Sequence, residues 1–118
     1  MNKTLGYLGL ARKAGKLEIG EDGTCGAIRS RKAKAVFLAQ DAAENSRRRA
    51  GTLASANRVP CFTVTVSKAE LGAALGRDLC AMLAVCDAGL ALAAAKTLVS
   101  EHAPYTEEMA LLTQSSKS

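Results

Sequence analysis

The sequence predicts an α/β fold, a three-layer α/β/α sandwich with one four-stranded sheet covered on both faces. Short apolar runs of strand length alternate along the chain with segments whose apolar residues recur at helical spacing. Two of the runs are nearly continuous in apolar residues, which is typical of strands buried on both faces. No linker, internal repeat or low-complexity tract interrupts this order. We therefore expect one compact domain over residues 1–100, followed by a tail over residues 101–118.

A cap, a periodic apolar face and a stop signal predict the first helix. Asn2 can cap a helix whose apolar residues recur from Leu5 to Ala11, and Gly15 can end it. Residues 16–19 are short and alternate enough in polarity to form a small strand.

The second helix is expected to begin at Gly20. Glu21 and Asp22 lie in its first turn, where the helix dipole favours negative charge. Its apolar side is thin. The run that follows, residues 35–40, predicts a strand buried on both faces and ends at Asp41.

A third helix should follow the polar connection over residues 41–45. Asn45 or Ser46 can cap it, and it should end near Asn57. Residues 61–66 are rich in β-branched side chains and predict the next strand.

The last elements are predicted by local signals as well. Ser67 and Glu70 form a capping box for a short fourth helix that Gly76 closes. Residues 79–86 predict the last buried strand. Asp87 can then cap a final helix that ends near Ser100, and the tail should contain a short helix start at Thr106 before a disordered end.

The composition argues against several classes of protein. Aromatic residues make up only 3% of the 118 residues, so recognition by stacking bases on aromatic side chains is disfavoured. Neither a phosphate-binding glycine motif of the nucleotide-binding folds nor a nucleophile elbow is present. The single histidine, His102, lies outside the predicted core. We therefore expect no enzymatic activity, no cofactor, no bound metal and no small-molecule substrate.

Cysteine usage and hydropathy bear on the location of the protein. The four cysteines lie singly, without metal-ligand spacing, so we expect free thiols, mostly buried, in a cytoplasmic protein. Asp87 and Lys96 divide the apolar stretch near the C-terminus into two charge-free runs of eight residues. Each run is too short to span a bilayer, and the N-terminal residues resemble an amphipathic helix more than a signal peptide.

Positive charge is concentrated in the first two thirds of the chain. Residues 1–77 hold fourteen Lys and Arg against six Asp and Glu, whereas residues 78–118 hold two against five. The cations cluster over residues 29–34 and over residues 47–49. Such an excess supplies sequence-independent affinity for nucleic acid. It indicates a polyanionic partner, for which we expect RNA, and the alternative is a basic face that is merely solvated.

The predicted sandwich would also place loops beside helix starts, whose free N–H groups can meet phosphate. The candidates are residues 20–23, residues 41–45 and residues 76–80. Gly23 and Gly26 would let a nucleic-acid backbone approach closely, or would serve tight helix packing.

Three carboxylates could also converge at this position. Glu21, Asp22 and Asp41 could do acid–base chemistry or bind a hard cation. Helix-dipole partners and a loop cap explain the same three residues more simply.

Four segments carry a resemblance to a known family. They are IGEDGTCGAIRSRKAKAVFLAQDA, ENSRRR, VPCFTVTVSKAELGAALGR and AVCDAGLA. The chain resembles, over about residues 3–95, the ribosomal proteins of the L7Ae/L30e superfamily, which bind kink-turn RNA. It looks closest to their small bacterial YlxQ-type relatives.

The resemblance implies a binding site at the start of helix two. In the family a Gly-x-Asn-Glu-x-x-Lys motif there contacts tandem sheared G·A pairs and the bent RNA backbone. Gly20 matches the family glycine, whereas Asp22, Gly23 and Gly26 stand where the family has asparagine, glutamate and lysine. The side chains of kink-turn recognition are therefore replaced, although shape and phosphate contacts can still support RNA binding.

The resemblance also implies two neighbouring loops. Residues 41–44 correspond to a second binding loop, and residues 76–80 correspond to an apolar loop that grips an extruded base, with Leu79 as its apolar side chain.

Together these observations predict non-catalytic binding of structured RNA, ribosomal or otherwise kinked, in the context of translation. The alternative is a protein-interaction or small-ligand module on the same fold. The predicted contact residues lie at the start of helix two, in the adjoining loops or in the basic clusters: Gly20, Glu21, Asp22, Gly23, Gly26, Arg29, Lys32, Lys34, Asp41, Arg47, Arg48 and Leu79.

Overall fold

The fold is that of an α/β protein in which helices and strands alternate along the chain. A computed structural model describes residues 2–101 and 108–112. The elements are α1 (Lys3–Lys13), β1 (Leu17–Ile19), α2 (Glu21–Arg29), β2 (Ala35–Leu38), α3 (Glu44–Ala56), β3 (Cys61–Thr63), α4 (Lys68–Ala74), β4 (Met82–Val85) and α5 (Ala88–Glu101). This is the predicted order.

One mixed sheet of four strands runs through the middle of the domain, in the order β1-β4-β2-β3. β2 and β3 are parallel, whereas β4 is antiparallel to both of its neighbours, β1 and β2. Strands β1, β2 and β3 therefore end at the same edge of the sheet, where β4 begins. We call this edge the upper rim and the opposite edge the lower rim.

Alternating residues of the central strands face two separate hydrophobic cores, which confirms the three-layer sandwich. On one face, Phe37 and Leu83 pack with α1, α4 and α5. On the other face, Val36 and Met82 pack with α2 and α3. Phe37 and Phe62 stack across neighbouring strands, with ring centroids 5.3 Å apart. Both faces of the sheet are covered, so β2 and β4 are fully buried, as their apolar runs predicted.

Local capping signals are confirmed. The Asn2 side chain accepts a hydrogen bond from the N–H of Leu5, and Ser67 and Glu70 form the capping box. Asp87 Oδ2 accepts from the N–H of Leu90 at 2.9 Å.

The start of the third helix was predicted wrongly. The helix begins at Glu44 with Ala43 as its N-cap, and neither Asn45 nor Ser46 caps it. Both residues lie inside the first turn, because β2 ends at Leu38 and the connection, residues 39–43, begins and ends two residues earlier than predicted. Ser46 instead hydrogen-bonds to the carboxylate of Glu21.

The last two strands are shorter than predicted. β3 ends at Thr63 and β4 begins at Met82. Before β4, Cys80 N–H donates to Lys68 O of α4 at 3.0 Å and does not join the ladder. Single backbone bonds extend the pairing beyond the strands, from Val64 N–H to Leu38 O at 2.8 Å and from Gln40 N–H to Val66 O at 2.9 Å.

Part of the predicted tail packs onto the domain. Residues 108–112 are helical, and within them Leu112 is fully buried in the core shared by α1, α4 and α5. The helix start predicted at Thr106 and the predicted disordered end lie outside the described residues.

The described helices are too short or too polar to cross a membrane. The same part of the chain contains no cluster of three His, Cys, Asp or Glu side chains arranged to hold a metal ion, and its four cysteines are free.

Candidate nucleic-acid interface

The upper rim brings together the three segments that the sequence singled out. Gly20 N–H donates to Met82 O at 2.9 Å, which joins the start of α2 to the start of β4. Ala39 N–H donates to Ala81 O at 2.8 Å, which joins the loop after β2 to the same place. The start of α2, the loop after β2 and the loop before β4 therefore form one continuous surface.

The start of α2 presents unused backbone donors. Gly20 adopts a φ of 91°, a conformation that glycine accepts without strain, and it caps the helix with no side chain. The first helical bond runs from Thr24 N–H to Gly20 O at 2.9 Å. Consequently, the N–H groups of Glu21, Asp22 and Gly23 have no hydrogen-bond acceptor among the described residues, and the helix dipole adds positive potential there.

Glu21 is fastened to α3 and does not point away from the rim. Its Oε2 lies 2.6 Å from Nη1 of Arg49, and Ser46 donates a second hydrogen bond. The Ser46 hydrogen bond lowers the pKa of the Glu21 carboxyl below its ordinary value of 4.5; burial opposes this shift, and the hydrogen bond and charge of Arg49 add to it. Glu21 thus sets the position of α2 relative to α3.

A shallow groove of about 250 Å³ runs down the exposed side of α2. Asp22, Gly23 and Gly26 line its upper part, and Lys32 lies at its lower end. A Cβ built on Gly26 would meet nothing within 4 Å, and one built on Gly23 would make only an ordinary 3.6 Å contact with Glu18. Packing within the described residues therefore does not require glycine at either position.

Asp41 belongs to the support of the upper rim. Its Oδ1 accepts a 2.7 Å hydrogen bond from the N–H of Lys68, the first residue of α4. This is the loop-cap role that explained Asp41 without chemistry, and it ties the loop after β2 to the start of α4.

Arg47 has an inward-facing guanidinium. It donates to Thr63 Oγ1 at 3.0 Å and to the backbone oxygens of Ala39 and Gln40 at 3.3 and 3.2 Å. Arg47 therefore holds the loop after β2 against the end of β3. Arg48, the next residue, is 69% exposed and pairs at 3.1 Å with Glu44, which is 82% exposed.

Leu79 projects from the loop before β4 with 61% of its surface exposed, the larger of the two exposures among large apolar residues in the described chain. Its backbone packs so closely on α4 that a Cβ on Gly72 would lie 2.9 Å from Leu79 N. An open groove of about 550 Å³ beside Leu79 is lined also by Arg12 and Arg77. The loop is therefore held rigidly while its apolar side chain remains free of the core.

Three predicted contact residues lie elsewhere. Arg29 ends α2, a helix of nine residues that is about 13 Å long at 1.5 Å per residue. Lys32 and Lys34 follow it, and Lys34 N–H donates to Val85 O at 2.8 Å, at the end of β4. The basic cluster over residues 29–34 therefore lies toward the lower rim, a helix length from Gly20.

Three relevant arginines were not found from the sequence: Arg12, Arg58 and Arg77. Arg12 and Arg77 line the groove beside Leu79. Arg58 adopts a left-handed backbone conformation with φ of 57°, as does Arg31 of the predicted cluster over residues 29–34, with φ of 64°. No pattern in the sequence marks an arginine as left-handed, and Arg12 reaches the loop near Gly76 only through tertiary packing.

Comparison with known proteins identifies the family. Residues 2–94 match the model of the Ribosomal protein L7Ae/L30e/S12e/Gadd45 family. The chain belongs to this family. The resemblance seen in the sequence is thus confirmed, and with it the expectation of a binding protein in place of an enzyme.

Two curated relatives carry the name RNA-binding protein YlxQ. The chain is 43% identical to the Enterococcus faecium protein over 75 residues, which cover 64% of this chain and 72% of that protein. It is 36% identical to the Bacillus subtilis (strain 168) protein over 84 residues, covering 71% of this chain and 83% of that protein.

The fold also has a solved counterpart. The structure of a protein of unknown function from Bacillus halodurans C superposes with a TM-score of 0.78 at 26% identity, covering 83% of this chain and 98% of that one. The three-layer architecture is therefore shared by that protein.

Proposed function

We propose that this protein binds structured RNA at the upper rim. The observation that carries the proposal is the convergence of the α2 start, with its unused N–H groups, and the exposed Leu79 on one continuous surface. Membership of the family and the names of the two YlxQ relatives support RNA as the partner.

The α2 start provides contacts that do not depend on base identity. The N–H groups of Glu21, Asp22 and Gly23 can donate to a phosphate or a ribose oxygen. Gly26 leaves the groove open, so the backbone of RNA can lie directly against the helix. Asp22 adds an acceptor for the 2′-hydroxyl or a base amine.

Leu79 provides the apolar contact. An exposed leucine on a rigid loop can pack against an unstacked base, which A-form RNA offers only at bulges, loops and kinks. The flanking guanidinium groups of Arg12 and Arg77 can neutralise the phosphates on either side of that base. This arrangement favours an RNA with an extruded base over a regular duplex.

The other predicted contact residues divide by position. Glu21, Asp41 and Arg47 hold the upper rim together, and Arg29 and Arg48 line an open groove on the outer surface of α2 and α3, where they can contact a passing RNA backbone. We propose a kinked RNA, such as a ribosomal RNA segment, as the target in the cytoplasm. Recognition would rest on shape and backbone, because Asp22, Gly23 and Gly26 replace the family's specific side chains.

The proposal is tested by binding a hairpin that contains a kink-turn and the same hairpin without its G·A pairs. We expect affinity for both that falls steeply with salt, with a preference for the kinked form. No retention of either RNA at low salt would overturn the proposal, and affinity independent of salt would contradict phosphate contact. Equal affinity for the two hairpins would contradict recognition of the kink.

A further inference from the structure

The lower rim carries a basic cluster, of which Lys32 alone also borders the α2 groove of the upper-rim site. We define it by its five exposed or partly exposed cations: Lys16, Arg31, Lys32, Lys34 and Arg58. None of them forms an ion pair with a carboxylate in the described part of the chain, where the two ion pairs involve Arg48 and Arg49.

Three members of the cluster share one groove. Arg31, Lys34 and Arg58 line a depression of about 360 Å³ between the ends of α2 and α3. Its large apolar lining residues, Ile28 and Val59, are buried, and the other apolar residues of the lining are Ala33 and Ala56. The groove therefore offers cations and no large exposed apolar side chain. This composition suits a phosphate backbone better than the apolar side chains of a protein partner.

The backbone at Arg31 and Arg58 is an unusual place for arginine. Each residue lies just after the C-cap of its helix, at Ser30 in α2 and at Asn57 in α3, with positive φ. Glycine is the ordinary residue there because a Cβ is strained in this conformation. The chain accepts that strain twice, and both arginines line the same groove. Helix dipoles favour cations at these ends, but they do not account for Lys16, which lies before β1.

The other two lysines continue the charge toward β1. Lys16 O accepts from Cys86 N–H at 2.8 Å. Burial raises the pKa of the Cys86 thiol, and the nearby positive charges of Lys32, Lys16 and Lys34 oppose that rise. Three carboxylates lie near this end of the domain. Glu18 also acts on Cys86, Asp87 accepts the N–H of Leu90, and Glu108 borders Arg58 in a neighbouring groove.

From this geometry we infer that the lower rim is a second surface for nucleic-acid backbone, so that one molecule can hold two separate RNA segments. The inference rests on the proposed function for the first segment. The second segment is recognised chiefly through its phosphates, since the groove provides cations and no aromatic side chain.

The test uses the full chain saturated with the kink-turn hairpin, to which a short labelled oligouridylate is added. We expect the oligouridylate to bind the saturated protein and form a ternary complex. Arg31→Gly with Arg58→Gly should weaken oligouridylate binding by roughly tenfold. The slope of log K against log salt concentration should become shallower by about 1.4, because each of the two lost phosphate contacts contributes about 0.7. Because glycine relieves the left-handed strain, the melting temperature should rise or stay unchanged, so weaker binding cannot come from unfolding.

Two variants serve as controls. Lys3→Gln with Lys96→Gln removes the same charge from the layer of α1 and α5, where Thr4 and Thr97 hydrogen-bond at 2.7 Å, and should leave oligouridylate binding close to the wild-type value. Gly26→Ala should lower the affinity for the hairpin and leave the affinity for the oligouridylate unchanged. If the wild-type protein does not bind the hairpin, the proposed function is wrong. The dependence of oligouridylate binding on Arg31 and Arg58 still tests the lower-rim surface in that case.

Three results would overturn the inference. Displacement of the oligouridylate by the hairpin would show a single site. Wild-type oligouridylate binding by the double glycine variant would remove the groove from the interface. Polyglutamate that binds as tightly as oligouridylate, with the same dependence on Arg31 and Arg58, would assign the surface to an acidic protein partner.

Discussion

Asp41 Oδ1 accepts a 2.7 Å hydrogen bond from the N–H of Lys68, 27 residues further along the chain. Lys68 O in turn accepts from the N–H of Cys80 at 3.0 Å. Through this one residue the loop after β2, the start of α4 and the loop that carries Leu79 become a single rigid unit. The upper rim therefore owes its shape to side-chain and backbone bonds between loops that are far apart in sequence.

Removing this cap should cost stability. Asp41→Ala leaves the Lys68 N–H without its side-chain acceptor, and we expect a loss of about 1 kcal/mol in the free energy of unfolding by urea denaturation. Asp41→Asn keeps an acceptor and should recover most of that loss. Asp78→Ala, at an exposed loop aspartate with no hydrogen bond in the described structure, should change little; an equal loss there would contradict the assigned role.

Neighbouring arginines should differ in their effect on stability. Arg47→Ala removes three hydrogen bonds, one to Thr63 of β3 and two to the backbone of the loop after β2. We expect about 2 kcal/mol of destabilisation. Arg48→Ala removes only an exposed ion pair with Glu44 and should cost less than about 0.5 kcal/mol. Chemical denaturation of both variants measures the contrast, and similar losses would show that the inward bonds of Arg47 do not matter.

Two helical glycines separate stability from binding. Cβ atoms on Gly26 and Gly51 would both meet open space, so each Gly→Ala change should stabilise the fold by up to about 1 kcal/mol through helix propensity. Only Gly26 lies in the groove of the proposed interface. We expect Gly26→Ala to weaken hairpin RNA binding and Gly51→Ala to leave it unchanged. If Gly26→Ala binds the hairpin as tightly as the wild type, the RNA does not lie against α2 at this position.

Gly72 is the glycine that packing requires. An added Cβ would lie 2.9 Å from the backbone of both Arg77 and Leu79, so Gly72→Ala must push the loop before β4 away from α4. We expect a loss of roughly 1–3 kcal/mol in thermal or urea denaturation, together with weaker RNA binding as Leu79 shifts. A variant as stable as the wild type would mean that the loop moves freely.

The Glu21 carboxylate should make stability depend on acid pH. Its pKa is lowered in the folded state, chiefly by the Ser46 hydrogen bond, so its contribution is present above the ordinary value of 4.5 and is lost as pH falls through the folded pKa. Compared with Glu21→Gln, the wild type should therefore lose its advantage only below pH 4.5. Ser46→Ala should bring the folded pKa of Glu21 closer to 4.5 and so reduce the stability that the carboxylate contributes. If the free energy of unfolding depends on pH in the same way for the wild type and for Glu21→Gln, the carboxylate makes no such contribution.

Much of the fold could be predicted because its signals are local. The caps at Asn2, Ser67 and Asp87 bond to residues three positions away, so the sequence alone contains both partners. The buried strands β2 and β4 were evident from their apolar runs. The start of α3 was missed because its N-cap, Ala43, makes no side-chain hydrogen bond that the sequence could signal.

The candidate site was only partly predictable. Family resemblance located Gly20 and Leu79, and the strand order then brought them to one rim. The fate of each charged residue, by contrast, depended on which way its side chain points. Arg47 and Arg48 are adjacent in sequence but lie about 100° apart around the helix, so one supports the rim and the other faces solvent.

The sequence by itself determined the class of fold, the order of the elements and the basic character of the chain, because periodicity, caps and charge are properties of neighbouring residues. Only the tertiary structure decided that the basic residues divide between two rims and that Asp41, Glu21 and Arg47 bond to neighbouring elements. It also revealed the left-handed Arg31 and Arg58 in one groove. These features depend on contacts between distant segments, and such contacts exist only once the sheet has set the direction of every strand and the helices have packed on it.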